Sequence, residues 1–121
     1  MPLPSKIDDD LALLDVMIEA LDKVARYTAG VTSDQFMAST LVQDAVALNF
    51  LVLGEAAGDL SDAAKAAAVD VPWPRMVSLR NRIAHGYQFV DRMTIFGLAL
   101  NDAATLRSTL NRLRTQLESG T

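Results

Sequence analysis

The stretch LDVMIEALDKVA, residues 14–25, decides the fold class. Its apolar side chains recur every three or four positions, which is the spacing of one face of an α-helix. These side chains are Leu14, Met17, Ile18, Leu21, Val24 and Ala25. We therefore predict a first helix over about residues 5–29. Gly30 follows directly and can adopt the positive φ that ends many helices, so it is the predicted C-cap.

Helical spacing continues after Gly30. Thr32 and Gln35 stand three positions apart, as in a capping box, and predict the start of a second long helix that ends near residue 60. A bend is expected near Ser39 and Thr40. The apolar positions expected to face the core are Leu41, Ala45, Leu48, Leu51 and Val52.

Three further helices are predicted. Ser61 is expected to cap a short alanine-rich helix. A fourth helix should occupy about residues 74–84, where Gly86 would end it, and a last helix about residues 91–117. No segment alternates polar and apolar residues with the period of a strand. The prediction is an all-α, largely antiparallel bundle of four to five helices that forms one domain over residues 1–121.

Composition and charge restrict the class of protein. Half of the 121 residues are hydrophobic, so a core can form without covalent staples, and the absence of cysteine excludes disulfides and thiolate metal sites. A net charge of −4 argues against a protein that coats nucleic acid non-specifically. The acidic start of the chain is unlike a secretory signal, and no uninterrupted apolar stretch approaches the roughly 20 residues of a membrane helix. We expect a cytoplasmic protein with no membrane partner.

One interval of this acidic chain is basic. No acidic residue occurs between Asp70 and Asp91. The interval contains Arg75, Arg80, Arg82 and the only histidine, His85. Such an interval predicts either a local anion site or a patch that meets an acidic partner. Arg82 by itself is expected to be a solvated surface charge.

The informative motif is RNRIAHGY, residues 80–87. Arg80 and His85 lie about 140° apart around a regular helix, so they share a site only if His85 lies at a frayed helix end or a second copy of the chain contributes. Histidine transfers protons near neutral pH and arginine binds phosphate, which suits attack of an RNA 2′-hydroxyl on its own phosphate. The sequence shows no carboxylate cluster or histidine pair for a metal, so no metal or other cofactor is predicted.

The motif and its surroundings resemble the HepT toxins, a branch of the HEPN superfamily. The resemblance covers about residues 8–115. It rests on the Arg-x4-His-x-Tyr motif at 80–87, Asp-Ala-Val at 44–46, Leu-Gly-Glu-Ala-Ala at 53–57, Val-Pro-Trp at 71–73 and Val-Asp at 90–91. The chain differs from the family after the motif tyrosine, where Gln88 and then Phe89 replace an aromatic that often follows directly.

The resemblance implies a HEPN-type helical homodimer whose paired motifs form one composite, metal-independent ribonuclease site. Arg80 and His85 would be catalytic, and Asn81 would support the site. The resemblance also implies a toxin of a toxin–antitoxin pair with RNA, and tRNA in particular, as its substrate. The partner would be a minimal nucleotidyltransferase antitoxin of the MntA type, which neutralises the toxin by transferring AMP to Tyr87.

Alternatives remain open at this point. Glu55 lies in an otherwise apolar run and needs either a partner, such as a motif arginine that it would orient, or a position facing water. Tyr87 is either the modified residue or a packing residue with a wet hydroxyl. Trp73 is expected to anchor a core or an interface rather than to stack on a base. The alternative function is a non-catalytic HEPN module that binds a nucleotide or a partner, in which Arg80 clamps a phosphate and His85 only donates a hydrogen bond.

Overall fold

A computed structural model describes residues 6–120, with side chains described from residue 8 onward. Within this part of the chain there are seven α-helices and no strand. The helices are α1 (Lys6–Thr28), α2 (Ser33–Ala38), α3 (Thr40–Asp59), α4 (Asp62–Ala66), α5 (Trp73–Gly86), α6 (Arg92–Asn101) and α7 (Ala103–Glu118), and a 3₁₀ turn, Tyr87–Phe89, follows α5. The predicted all-α bundle is confirmed.

The predicted helix caps around Gly30 are confirmed. Gly30 has φ +70° and follows the end of α1, as expected for a C-cap glycine. The Thr32 hydroxyl accepts a hydrogen bond from the Gln35 amide (3.1 Å), and Gln35 Oε1 accepts one from the Thr32 amide (2.9 Å). The predicted start of the first helix, at residue 5, lies outside the described residues.

The predicted bend near Ser39 is a complete break between α2 and α3. Ser39 has an extended backbone (φ −119°, ψ 98°) and serves as the C-cap of α2 and the N-cap of α3. Its hydroxyl accepts from the Val42 amide at 3.2 Å. Ser61 caps α4 in the same way, as predicted, by accepting from the Ala64 amide at 3.1 Å. Serine at both positions satisfies amide groups that a helix start leaves unpaired.

The predicted core face of α3 is confirmed only in part, since Leu51 and Val52 pack against the core. Leu41 is 79% exposed and Leu48 is 59% exposed, while Ala45, Leu51 and Val52 are half-buried. The buried side chains belong to another face and are Gln43, Val46, Ala47, Asn49, Phe50, Leu53, Ala56 and Ala57. Because α3 is apolar on nearly every side, spacing alone does not select the buried face, and its contacts with α1 and α5 do so instead. By length and composition α3 would suffice to cross a membrane, and half of this apolar stretch is buried inside the bundle.

Two other predicted helix boundaries are corrected. The helix that carries the motif extends two residues beyond the predicted position 84, and Gly86, whose backbone is not helical (φ −168°, ψ 53°), ends it as predicted. The predicted last helix is divided at Asp102, whose backbone (φ −116°, ψ −30°) departs from helical values. Asn101 and Asp102 are both weak helix formers, because their side chains compete for backbone hydrogen bonds.

The helices pack around α3. α1 and α5 both contact α3 extensively, and α7 packs against α1. The most deeply buried side chains include Leu14, Leu21, Phe36, Ile95 and Leu110, and the rings of Phe36 and Phe96 stack 4.7 Å apart. Trp73 is buried, as expected, and anchors the start of α5 by donating its indole N–H to the carbonyls of Lys65 and Ala68. α5 makes few contacts with α6 or α7, so it is held mainly by α3.

Gly54 allows α3 and α5 to approach closely. A Cβ atom at position 54 would lie 2.6 Å from the carbonyl oxygen of Met76 and closer still to the Cβ of Arg80. Real side chains do not tolerate such separations, so either helix would have to move. Gly54 therefore fixes the distance between α3 and the part of α5 that carries Arg80.

We expect Gly54→Ala to lower the free energy of unfolding by about 1–3 kcal/mol, the usual cost of overpacking a close contact, despite the higher helix propensity of alanine. The matched control is Gly58→Ala in the same helix, where the added Cβ would lie 3.7 Å from Val77 Cγ2, an ordinary contact. This variant should be as stable as the parent or up to about 1 kcal/mol more stable. Urea unfolding followed by circular dichroism measures both, and equal stability of the two variants would contradict the packing argument.

Candidate active site

The motif residues occupy different sides of α5. Arg80 and His85 both belong to α5 and lie about 140° apart around its axis, whereas Gly86, the last residue of the helix, departs from helical geometry (φ −168°, ψ 53°). Arg80 is turned towards α3, whereas His85 is exposed and has no hydrogen-bond or ion-pair partner among residues 6–120. His85 lies one residue before the end of α5, next to a residue that has left the helical conformation, so it occupies the helix end that was considered for it.

Glu55 and Asn81 hold the guanidinium of Arg80. Arg80 Nη2 donates to Glu55 Oε1 at 3.3 Å, and Arg80 Nη1 donates to Asn81 Oδ1 at 2.8 Å. Arg80 Nε is buried and has no hydrogen-bond partner in the described part of the chain. Of the two alternatives for Glu55, pairing with a motif arginine is the one observed. The contacts fix the orientation of a cation whose side chain remains one-third exposed.

Tyr87 is held by two residues from neighbouring helices. Its hydroxyl donates a hydrogen bond to Asp44 Oδ1 of α3 at 2.6 Å. The guanidinium of Arg92, at the start of α6, lies 3.8 Å from the centre of the Tyr87 ring. Arg92 Nη1 also donates to the carbonyls of Tyr87 (2.8 Å) and Val90 (2.6 Å). The turn that follows His85 is therefore fastened to both α3 and α6.

The surroundings of Tyr87 raise the pKa of its phenol to about 12. Burial is the main cause, since it disfavours the charged phenolate. The hydrogen bond to Asp44 and the negative charge of that carboxylate act in the same direction, and the positive charge of Arg92 opposes them. The hydroxyl is consequently a protonated donor at neutral pH.

Asp44 and Arg92 are contacts that the sequence analysis missed. Asp44 was noted only as part of a family pattern, and Arg92 was given no role. The interval around the motif is free of acid in sequence, yet Asp44 and Glu55 bring two carboxylates against it from α3. Eleven residues separate these two acids, which places them on one side of a helix after three turns. That spacing was the available signal.

Exposed apolar side chains adjoin the same side of α3. Leu41, Leu48 and Glu55 follow one another at intervals of seven residues and therefore lie almost in line along the helix. We call the side formed by Leu41, Asp44, Leu48 and Glu55 the outer α3 face. Leu48 also borders a shallow pocket of about 260 Å³ between α3 and α1, whose rim includes Val16 and Tyr27. These two side chains are 44% and 37% exposed, so the apolar surface continues onto α1.

Metal-ligating residues do not gather in the described part of the chain. No group of three or more histidine, cysteine, aspartate or glutamate side chains within residues 8–120 is placed to hold a metal ion. The site that the structure does present is one of an oriented arginine, an exposed histidine and a hydrogen-bonded tyrosine.

We expect Asp44→Asn to lower the pKa of Tyr87 from about 12 towards its ordinary value of about 10, because the variant removes the carboxylate charge that disfavours phenolate. Arg92→Gln should raise it, because the opposing positive charge is lost. Since the pKa of the folded state exceeds that of the unfolded chain, Tyr87 stabilises the fold below about pH 10, and this contribution disappears as the pH rises towards 12.

The measurement is a pH titration of the Tyr87 ring carbon Cζ by NMR, with Tyr27→Phe to assign the two tyrosine signals. If Asp44→Asn leaves the pKa of Tyr87 unchanged, the two side chains do not interact in solution.

Comparison with known proteins gives several relatives. A protein of Thermococcus cleftensis named "Probable ribonuclease HepT" is 24% identical over 101 residues, which cover 84% of this chain and 92% of that protein. A protein of Methanocaldococcus jannaschii with a provisional RNase name is 25% identical over 103 residues, covering 85% and 94%. Another from the same organism, also with a provisional RNase name, is 28% identical over 99 residues, covering 82% and 80%. No solved structure gives a significant match.

The family described as ribonuclease HepT-like matches residues 17–113. The matched region contains the whole motif at 80–87 and both carboxylates that contact it, Asp44 and Glu55. The resemblance inferred from the sequence is confirmed, and the names of the relatives support a ribonuclease activity. The chain belongs to the HepT-like ribonuclease family.

Proposed function

We propose that the protein is a metal-independent endoribonuclease that acts as a homodimer, with Arg80 and His85 as its catalytic residues. The observation that carries the proposal is the arrangement of the motif on α5. Glu55 and Asn81 orient Arg80, while His85 is exposed and unpaired within residues 6–120. A fixed cation and a free imidazole are the groups that phosphodiester cleavage requires.

The reaction uses the 2′-hydroxyl of RNA as the nucleophile. One His85 takes the proton from this hydroxyl as its oxygen bonds to the adjacent phosphorus. The bond from phosphorus to the 5′-oxygen breaks, and a second imidazole, or water, supplies the proton to that oxygen. Arg80 stabilises the negative charge on the remaining phosphoryl oxygens, which is typically the largest contribution in such sites. The products are a 2′,3′-cyclic phosphate and a 5′-hydroxyl.

A second copy of the chain is the proposed occupant of the outer α3 face. Arg80 and His85 of one protomer diverge around α5, which supports a site that the second protomer completes. Leu41 and Leu48 provide exposed apolar surface in line with Glu55, which itself contacts Arg80. A twofold axis through this surface would bring two motif helices together, because a symmetric interface pairs each patch with itself.

We further propose that the protein is the toxin of a toxin–antitoxin pair, that tRNA is its substrate class, and that a minimal nucleotidyltransferase transfers AMP to Tyr87. The geometry of Tyr87 supports a switch of this kind. The hydrogen bond from its hydroxyl to Asp44 links the turn after His85 to α3. Attached AMP would replace this hydrogen bond with a phosphodiester whose negative charge meets the Asp44 carboxylate. The resulting repulsion would displace the turn that positions His85.

Mixing two inactive variants tests the composite site. Arg80→Ala and His85→Ala should each reduce cleavage of total tRNA by at least about 100-fold, within the range for removal of a charge-stabilising or acid–base group. Mixed dimers of the two variants should recover part of the activity, because one site then contains Arg80 from one protomer and His85 from the other. Cleavage should persist in EDTA.

The control mixes the double variant Arg80→Ala/His85→Ala with the parent protein. A mixed dimer of these two never has Arg80 on one protomer and His85 on the other, so mixing should add no activity. Mixed single variants that stay as inactive as each alone, although mass spectrometry shows mixed dimers, would place both residues in one protomer and contradict the composite site.

A charge on the outer α3 face should separate the protomers. We expect Leu48→Asp to convert the dimer to a monomer in sedimentation velocity and to abolish cleavage, because a carboxylate would be buried without a partner in the interface. Leu100→Asp is the matched control, since Leu100 on α6 is similarly exposed (54% against 59%). A dimer that withstands Leu48→Asp would move the interface elsewhere.

A further inference from the structure

A cleft of about 650 Å³ lies beside α5, on the side away from the outer α3 face. It forms because α5 packs on α3 and makes few contacts with α6 or α7. Phe50 and Leu53 of α3 form its floor, α5 forms one wall, and the elbow between α6 and α7 forms the other. Its volume falls within the range of about 300–1,000 Å³ that is usual for ligand sites.

Two arginines of α5 line this cleft. Arg75 and Arg82 are seven residues apart, so they lie on the same side of the helix and about 10 Å apart along its axis. Both are exposed, and neither guanidinium has a hydrogen-bond or ion-pair partner within residues 6–120. Arg82 was expected to be a plain solvated charge, but it borders a concave and largely apolar surface. Unpaired guanidinium groups at such a position suit phosphate groups.

The rest of the cleft is apolar with polar groups on the far wall. Leu79 of α5 faces Leu98 and Leu106 of the opposite elbow. Thr94, Thr105 and Thr109 also line that wall, and the Thr109 hydroxyl is already engaged with the Thr105 carbonyl and with Arg112. A flat apolar ring between the two walls would bury apolar area and leave polar groups at its edge available for hydrogen bonds.

Two carboxylates complete the lining. Asp70 and Asp102 border the cleft, and Asp102 starts α7 without a capping hydrogen bond from its side chain. A ligand that is only anionic would be repelled there. The complementary ligand has an anionic group for Arg75 and Arg82, a flat ring for the leucines, and N–H donors for the carboxylates. A nucleotide has all three, since its base carries amino or imino donors that carboxylates accept.

We propose that this cleft binds a nucleotide of the single-stranded RNA substrate that flanks the cleaved bond. The proposal rests on the proposed ribonuclease function. Arg82 lies between Asn81 and His85 in sequence, and its side of α5 adjoins the exposed ridge that carries His85. A strand that passes His85 therefore reaches the cleft by continuing around the same helix.

RNA binding without cleavage tests the subsite. In a His85→Ala background, a fluorescent single-stranded RNA should bind about tenfold more weakly when Arg75 or Arg82 is changed to Gln, in line with loss of one charge-assisted hydrogen bond. Each change should also reduce the slope of log Kd against log salt by about 0.7. Arg26→Gln is the control, because Arg26 is an exposed arginine on α1 with the same charge and no contact with the cleft.

Photocrosslinking gives a second measurement that does not depend on those variants folding well. RNA that contains 4-thiouridine should crosslink to peptides of the cleft wall around Leu98 and Leu106. The subsite is overturned if Arg75→Gln and Arg82→Gln both bind RNA as tightly as the Arg26→Gln control does. It is also overturned if the crosslinks are confined to other surfaces. If Arg82→Gln changes the mass measured by sedimentation but leaves RNA affinity unchanged, the cleft binds a protein chain instead of RNA. This outcome also overturns the subsite.

The two proposals fail in different ways. If cleavage is absent in the parent protein but RNA binding still depends on Arg75 and Arg82, the nuclease mechanism is wrong and the cleft is retained as an RNA site. If cleavage requires His85 but RNA affinity ignores both arginines, the nuclease is retained and the subsite is wrong.

Discussion

The close approach of α3 and α5 at Gly54 is the constraint on which the candidate site depends. A side chain larger than hydrogen at this position would collide with Met76 and Arg80. With the two helices this near, Glu55, the next residue along α3, reaches the guanidinium of Arg80, and Asp44, three turns earlier, reaches the hydroxyl of Tyr87. One small residue in the second half of a long apolar helix thus fixes how closely that helix approaches the part of α5 that carries Arg80.

The parts of the fold that depend on local chemistry could be predicted from the sequence. Gly30, the Thr32–Gln35 capping box and Ser61 all satisfy backbone groups within a few residues, and all three were placed correctly. The division of the last helix at Asp102 was missed because weak helix formers lower helix propensity only slightly and do not by themselves break a helix. Hydrogen bonds between residues close in sequence can be predicted from the sequence, whereas small differences in helix propensity do not decide where a helix breaks.

Long-range choices could be predicted only in part. The identity of Arg80 and His85 as candidates came from their motif, and Glu55 was recognised because a carboxylate in an apolar run needs a partner. A motif arginine was one of two alternatives for Glu55. The choice between them, like the contacts of Asp44 and Arg92 with Tyr87, depends on which helices become neighbours. The buried face of α3 was predicted only in part for a related reason. A helix with leucine, valine or alanine on nearly every side has two faces able to exclude water, and only the folded bundle shows which one it uses internally.

The attachment of α5 along a single edge has a consequence for how such proteins diverge. Since α5 is anchored by α3 and barely touches the α6–α7 elbow, the elbow can accept substitutions, or a different bend, without shifting the groups that α3 holds in place. Under the proposed function, the residues that carry the reaction and those that contact the flanking nucleotide could then change independently, because the close contact of α3 and α5 holds the first group and the open cleft borders the second.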